Sequence, residues 1–139
     1  MKLAIHYYSK FGHSAKMAQV IGEVAGVKPA SVDTPLTEDV DILFIGAGVF
    51  LGKVNGRIKE FARSLDTKKV KKIVLFGSSA LIESPVAQMR KIFEELGFNV
   101  ATEFFTCRGA MGPVHSGHPD ANDLQALREF AKQLVGNNK

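Results

Sequence analysis

Strand-length apolar runs alternate with stretches of helical period along the whole of this chain, and that alternation leaves few architectures open. Lys2 to Tyr8 (KLAIHYY) reads as a first strand; Met17, Ala18, Ile21, Val24 and Ala25 then recur on one face of a helix that Gly26 would end. Val27 to Val32 is a weaker strand, interrupted by Pro29, which cannot donate to a ladder and so belongs at a sheet edge. Asp41 to Ala47 (DILFIGA) is a near-continuous apolar run, and Ile58, Phe61, Ala62 and Leu65 follow at helical spacing. Lys72 to Gly77 (KIVLFG) makes a fourth strand. Ser84 and Pro85 supply an N-cap and a first-turn proline for a third helix, with Val86, Met89, Phe93 and Leu96 inward. After Gly97 comes a fifth strand, Phe98 to Cys107, and a last helix opening near Asp120 turns Leu124, Leu127, Ala131 and Leu134 inward.

Strands that are apolar along their whole length are buried on both faces, which a parallel sheet covered by helices provides. With right-handed crossovers, five such strands suit a doubly wound, three-layer α/β/α sandwich of strand order 2-1-3-4-5. At 139 residues the chain reads as a single domain, 1–139. Ligands of such sheets sit beyond the carboxyl ends of the strands, where the winding reverses. The chemistry is therefore expected in four loops, Ser9–Ser14, Gly48–Lys53, Ser78–Ser84 and Arg108–Pro119.

Composition removes other classes. With 45% hydrophobic and 23% charged residues the chain matches soluble globular proteins, and no apolar run approaches a membrane span, so no membrane insertion is expected. The N-terminus lacks the pattern of a secretory signal, and a lone Cys107 makes no internal disulfide, so a cytoplasmic location is expected. The balance of 18 Lys+Arg against 14 Asp+Glu gives +4, which suits an anionic ligand or partner. The densest basic run, Lys68-Lys69-Val70-Lys71-Lys72, precedes a strand and reads as a solvated connection. With no Trp and two Tyr, the interleaved aromatics and cations of a single-strand-binding surface are missing, and no nucleic acid is expected.

The first loop, Ser9-Lys10-Phe11-Gly12-His13-Ser14, joins a strand to a helix. Its two hydroxyls, a glycine that permits close approach and the unpaired amides of a helix start make an anion site. Lys10 and His13 could add charge; the competing reading is an ordinary βα turn with Ser14 as N-cap. The second loop, Gly46-Ala47-Gly48-Val49-Phe50-Leu51-Gly52-Lys53, fits neither the dinucleotide fingerprint nor the P-loop, each by one residue of spacing. It reads as a glycine-containing loop offering the flat face of Phe50, unless that ring is simply core. His115 and His118 resemble half a metal site without a suitably spaced carboxylate or thiolate, so no metal is expected. His6 reads as a core histidine with its hydrogen bonds satisfied, and Cys107 beside Arg108 as packing rather than a nucleophile. Tyr8-Ser9 and Ala47-Gly48 stand where a phosphoryl receiver would need acids, which excludes that class.

Four segments together resemble the flavodoxin family over nearly the full chain. Tyr8 to Ser14 with Lys16-Met17-Ala18 looks like its phosphate loop and the helix it opens; Ile45 to Phe50 is similar to the strand and loop that bring an aromatic onto the flavin. Val74 to Ser79 looks like the strand and loop on the ring's other side, and Gly117 to Asp120 with Asp123-Leu124 and Phe130-Ala131 like the entry to the last helix. The resemblance implies non-covalent flavin mononucleotide (FMN) and one-electron transfer between a redox donor and acceptor protein. Ser9, Gly12, His13 and Ser14 would hold the phosphate, with Lys10 and Phe11 in the same loop. Gly48, Val49, Phe50, Leu51 and Gly52 would flank the isoalloxazine, and Ser78, Ser79, Ala80 and Leu81 would border its opposite edge. Gly52, with Gly48 second, is the candidate for turning a backbone carbonyl towards the reduced ring, while Lys10, Lys53 and Arg108 would favour its anionic form. Two features depart from the family: the third loop has no tyrosine to stack on the ring, and the chain is basic. The expected protein is thus a carrier more than a turnover enzyme. The alternatives are a small NAD(P)H-dependent FMN quinone or heme-pathway reductase, and a cofactor-free binding domain of the same fold.

Overall fold

In a computed structural model, which describes residues 1–10, 12–50, 53–79, 85–108 and 117–136 and omits the side chains of Val49 and Phe50, the chain alternates strand and helix as its pattern requires. β1 (Leu3–Tyr7) pairs in parallel with β2 (Ala30–Ser31) on one side and β3 (Ile42–Phe50) on the other. β5 (Ile73–Ser79) and β6 (Val100–Arg108) continue the sheet, so the long strands stand in the expected doubly wound order. The register sets Ile5 against Phe44, Phe44 against Val74 and Phe76 against Phe105. A sixth, two-residue strand, β4 (Lys53–Val54), folds back antiparallel onto the end of β3.

The near-continuous apolar runs are explained by two cores, one on each face. Alternate residues of β3 point opposite ways: Leu43 and Ile45 join Ile58 and Phe61 of α2 (Gly56–Ser64) and Met89 and Phe93 of α3 (Pro85–Glu95). Ile42 and Phe44 join Met17 and Ile21 of α1 (His13–Ala25) and Leu127 and Ala131 of α4 (Ala121–Gly136). Each such Leu, Ile, Met or Phe side chain contributes about 1.5–3 kcal/mol from the area it removes from water.

Several elements differ from the sequence reading. β2 is two residues rather than Val27–Val32, because Pro29 breaks the run before pairing starts, though it does lie at the edge. Leu65 and Leu96 continue the spacing of α2 and α3 but fall just past their ends; Leu65 is extended and half-buried, and Leu96 is 39% exposed. His6 is buried and stacked on Phe61 at 4.7 Å between ring centres, yet neither ring nitrogen has a hydrogen-bond partner among the described residues. Burial lowers its pKa, offset only in part by the Thr34 backbone, and so favours the neutral ring in the fold.

Candidate functional site

The winding reverses between β1 and β3, and the turn leaving β1 is the centre of the site. The Tyr8 N–H donates to the Gly46 carbonyl at 3.0 Å, which keeps the chain on β3 for one residue past β1 and starts the turn at Ser9. The Ser9 hydroxyl oxygen is buried and meets no partner among the described residues. Gly12 takes a left-handed conformation (φ 87°, ψ −4°), with nothing within 4 Å of where a Cβ would stand. A side chain there would be strained, and its absence leaves the helix start open.

Gly12, not Ser14, is the N-cap of α1, which corrects the capping alternative; no side chain caps the helix and its first turn holds no acid. Ser14 is one residue into α1 and buried, His13 is half-buried and Lys10 exposed, both of these making contacts of their own. The turn therefore combines a helix start without a side-chain cap, a buried hydroxyl with no partner among the described residues and the exposed Lys10 nearby. An anion with several oxygens meets those requirements. Phe11 lies outside the described residues.

The strand ends beside this turn come from β3 and β5. Gly48, Val49 and Phe50 are strand rather than loop, paired with β5 and then with the β4 hairpin, in which Val49 faces Val54 and Phe50 faces Lys53. The Val54 N–H donates to the side-chain oxygen of Gln88 on α3 at 2.8 Å, which fixes the hairpin to the α2/α3 layer. Ser78 and Ser79 likewise extend β5 instead of opening a loop; Ser78 is buried and opposite Gly48, where a Cβ would stand 3.5 Å from its carbonyl and hydroxyl oxygens. Leu51, Gly52, Ala80 and Leu81 lie outside the described residues, as does His115.

The end of β6 meets the start of α4. Cys107 is half-buried, its sulfur 3.8 Å from that of Met17, and burial with help from Asp123 and Asp120 pushes its thiol up to about 12. It is packing, not a thiolate. Contrary to the expectation of no suitably spaced carboxylate, His118 Nδ1 lies 2.7 Å from Asp123 Oδ2 and 3.7 Å from Asp120 Oδ2. The two acids cap α4 reciprocally, the Asp120 N–H donating to Asp123 and the Asp123 N–H to Asp120, each at 2.9 Å. Burial opposes ionisation of Asp123, but the Asp120 N–H and His118 outweigh it and its pKa is lowered; the hydrogen bond to Asp123 raises that of His118. One atom from each of the three could meet at a cation, but the acids are already engaged by helix amides and the imidazole. The D-x-x-D spacing of Asp120 and Asp123 ahead of an apolar helix was the signal available for this cap.

Among the described residues, no helix is long and apolar enough to cross a membrane. A family model described as a flavodoxin domain matches residues 4–113. An uncharacterized protein of Methanocaldococcus jannaschii is 25% identical over 152 aligned positions, covering 99% of this chain and all of that one. The solved structure of a flavodoxin from the domain Archaea superposes with a TM-score of 0.79 at 18% identity, covering 99% of this chain and 98% of its own. A flavoprotein of Lactobacillus acidophilus, solved in complex with FMN, superposes at 0.60 with 19% identity, over 77% of this chain and 92% of that one.

Proposed function

The chain belongs to the flavodoxin domain family, and on that premise we propose that it binds FMN non-covalently at the turn between β1 and α1 and carries single electrons between a donor and an acceptor protein. One observation carries the reading: the buried Ser9 hydroxyl, without a partner among the described residues, beside a helix start without a side-chain cap. A buried hydroxyl without a partner costs about 1–3 kcal/mol, and a phosphate oxygen would satisfy it.

The residues present fit the group. Ser9, Gly12, His13 and Ser14 would hold the phosphate, with Lys10 beside them, and the strand ends at Gly48 and at Ser78–Ser79 would border the ring. FMN, when bound, supplies the one-electron chemistry. The chain's own part is to offer the anion fixed donors that need no rearrangement, and to hold β3, β5 and the β4 hairpin as a rigid wall beside it.

Titrating apoprotein with FMN and with riboflavin tests the reading. Two charge-assisted hydrogen bonds to phosphate predict FMN tighter by roughly two orders of magnitude. Equal affinities, or no binding of either, would overturn it. Steady turnover of NAD(P)H with a quinone would replace the carrier by a reductase.

A further inference from the structure

Carboxylates hold Arg57, Lys71, Arg90, Arg128 and Lys132, through Asp33, Asp41, Glu94, Glu23 and Glu129 respectively. Lys59 and Arg63 of α2 and Lys91 of α3 are different: none has a side-chain ion pair or hydrogen bond to a described residue. These three cations line one groove between the two helices, of about 510 Å³, together with Ile92, Glu95 and Leu96. The apolar pair is open to a ligand, Ile92 being half-buried and Leu96 39% exposed at the end of α3.

The groove lies away from the site described above. α2 starts just after the β4 hairpin at the carboxyl end of the sheet, so Lys59 and Arg63 lie roughly one and two turns further down. Lys91, Glu95 and Leu96 lie in the second half of α3 and just past it. Both helices cover the face opposite α1.

Three cations around one depression repel each other, and a ligand bringing negative charge relieves that repulsion. Ile92 and Leu96 reward apolar surface on the same ligand, which a phosphate backbone does not offer. Glu95 adds a repulsive group against a continuous run of phosphates, while a peptide can turn a neutral or basic residue to it. We propose that this groove docks an acidic, leucine-bearing segment of a partner protein. A partner anchored here leaves the β1–α1 turn and the strand ends at Gly48 and Ser78 uncovered, and the docking does not depend on the flavin reading.

The test is a titration of the 15N-labelled full chain, followed by amide shifts, with a short peptide of Glu-Glu-Leu repeats. The same peptide with Lys in place of Glu, and oligothymidylate, are the comparison ligands. The proposal expects shifts centred on Lys59, Arg63, Lys91, Ile92, Glu95 and Leu96 with the acidic peptide alone. A variant carrying Lys59→Glu, Arg63→Glu and Lys91→Glu, its folding checked by its amide spectrum, should bind about tenfold more weakly or worse. Leu96→Ser, which removes apolar surface without touching charge, should weaken binding severalfold. Equal shifts with oligothymidylate, shifts mapping elsewhere, or unchanged affinity in the charge-reversed variant would overturn it. FMN titration of the same variant is a separate readout: peptide binding lost with flavin binding intact assigns the loss to the groove. Failure of the unmodified chain to bind FMN would overturn the carrier reading and leave the groove standing.

Discussion

A hydroxyl sealed from water without a partner is tolerated where something else regularly satisfies it, and the Ser9 hydroxyl has none among the described residues. Ser9→Ala removes the hydroxyl and its burial cost together, so it should stabilise the apoprotein, by up to about 1–3 kcal/mol, while weakening FMN about tenfold, the loss of one charge-assisted hydrogen bond. Weakening by less than twofold in the same fluorescence titration would place the phosphate elsewhere. His118 gives a second residue-scale prediction, in pH. Its pKa is raised by the hydrogen bond to Asp123, so the stability it contributes is complete below the unfolded value of 6.5 and is lost as pH rises through the folded value. Asp123 has the opposite sign: its lowered pKa contributes stability above the unfolded value of 3.8 that is lost as pH falls through the folded one. The pair therefore stabilises most in the mildly acidic window between them. In thermal melts, the advantage of the native chain over His118→Asn should shrink as pH rises through the folded pKa of His118; a gap constant with pH would mean that folding does not shift the imidazole's pKa. At this scale the sequence showed hydroxyls and a glycine between a strand and a helix, and the structure has that strand-to-helix turn between β1 and α1. The sequence did not show which of these residues caps α1, because that depends on Gly12 adopting a left-handed backbone. Nor did it show that the His6 ring nitrogens would find no hydrogen-bond partner among the described residues, because a strand pattern gives burial and not partners.

Elements were legible where burial on both faces forced a continuous apolar run, as in β3 and β5, and less so where pairing alone decides. β4 is the example. Lys53–Val54 has no strand pattern of its own and exists because β3 overshoots the sheet and Gln88 accepts the Val54 N–H. Helix ends were blurred for a related reason: Leu65 and Leu96 keep the helical period, but periodicity does not register where the backbone leaves the helix. The packing of one element on another predicts a specific weakness at Gly77 of β5. A Cβ there would stand 2.3 Å from the Ala47 carbonyl oxygen of β3 and 2.4 Å from Pro85 Cγ at the start of α3. The oxygen belongs to the neighbouring strand and cannot swing aside, so Gly77→Ala must separate β3 from β5 or lift α3. Overpacking of this kind typically costs about 1–3 kcal/mol, which urea unfolding would read as a lower midpoint. An unchanged midpoint would show that the sheet yields at that joint.

The turn after β1 belongs to both halves of the molecule. α1 runs from it into the core shared with α4, while Tyr8, one residue before it, packs against the core of α2 and α3 and lies 5.8 Å beneath the Arg57 guanidinium. A ligand held there bears on both layers at once, and a small domain of this size unfolds cooperatively, so its binding energy should appear as stability of the whole. At a thousandfold excess over its dissociation constant, FMN should add about 4 kcal/mol, which for a domain of this length raises the thermal midpoint by roughly 10 °C. The rise should grow with the logarithm of FMN concentration. Riboflavin at the same concentration should shift the midpoint far less, because the donors at the start of α1 and the chain's net charge of +4 act on the phosphate and not on the ring. Equal shifts with the two flavins would put the binding energy in the ring wall at Gly48 and Ser78. The anion-binding turn would then be an ordinary strand-to-helix connection.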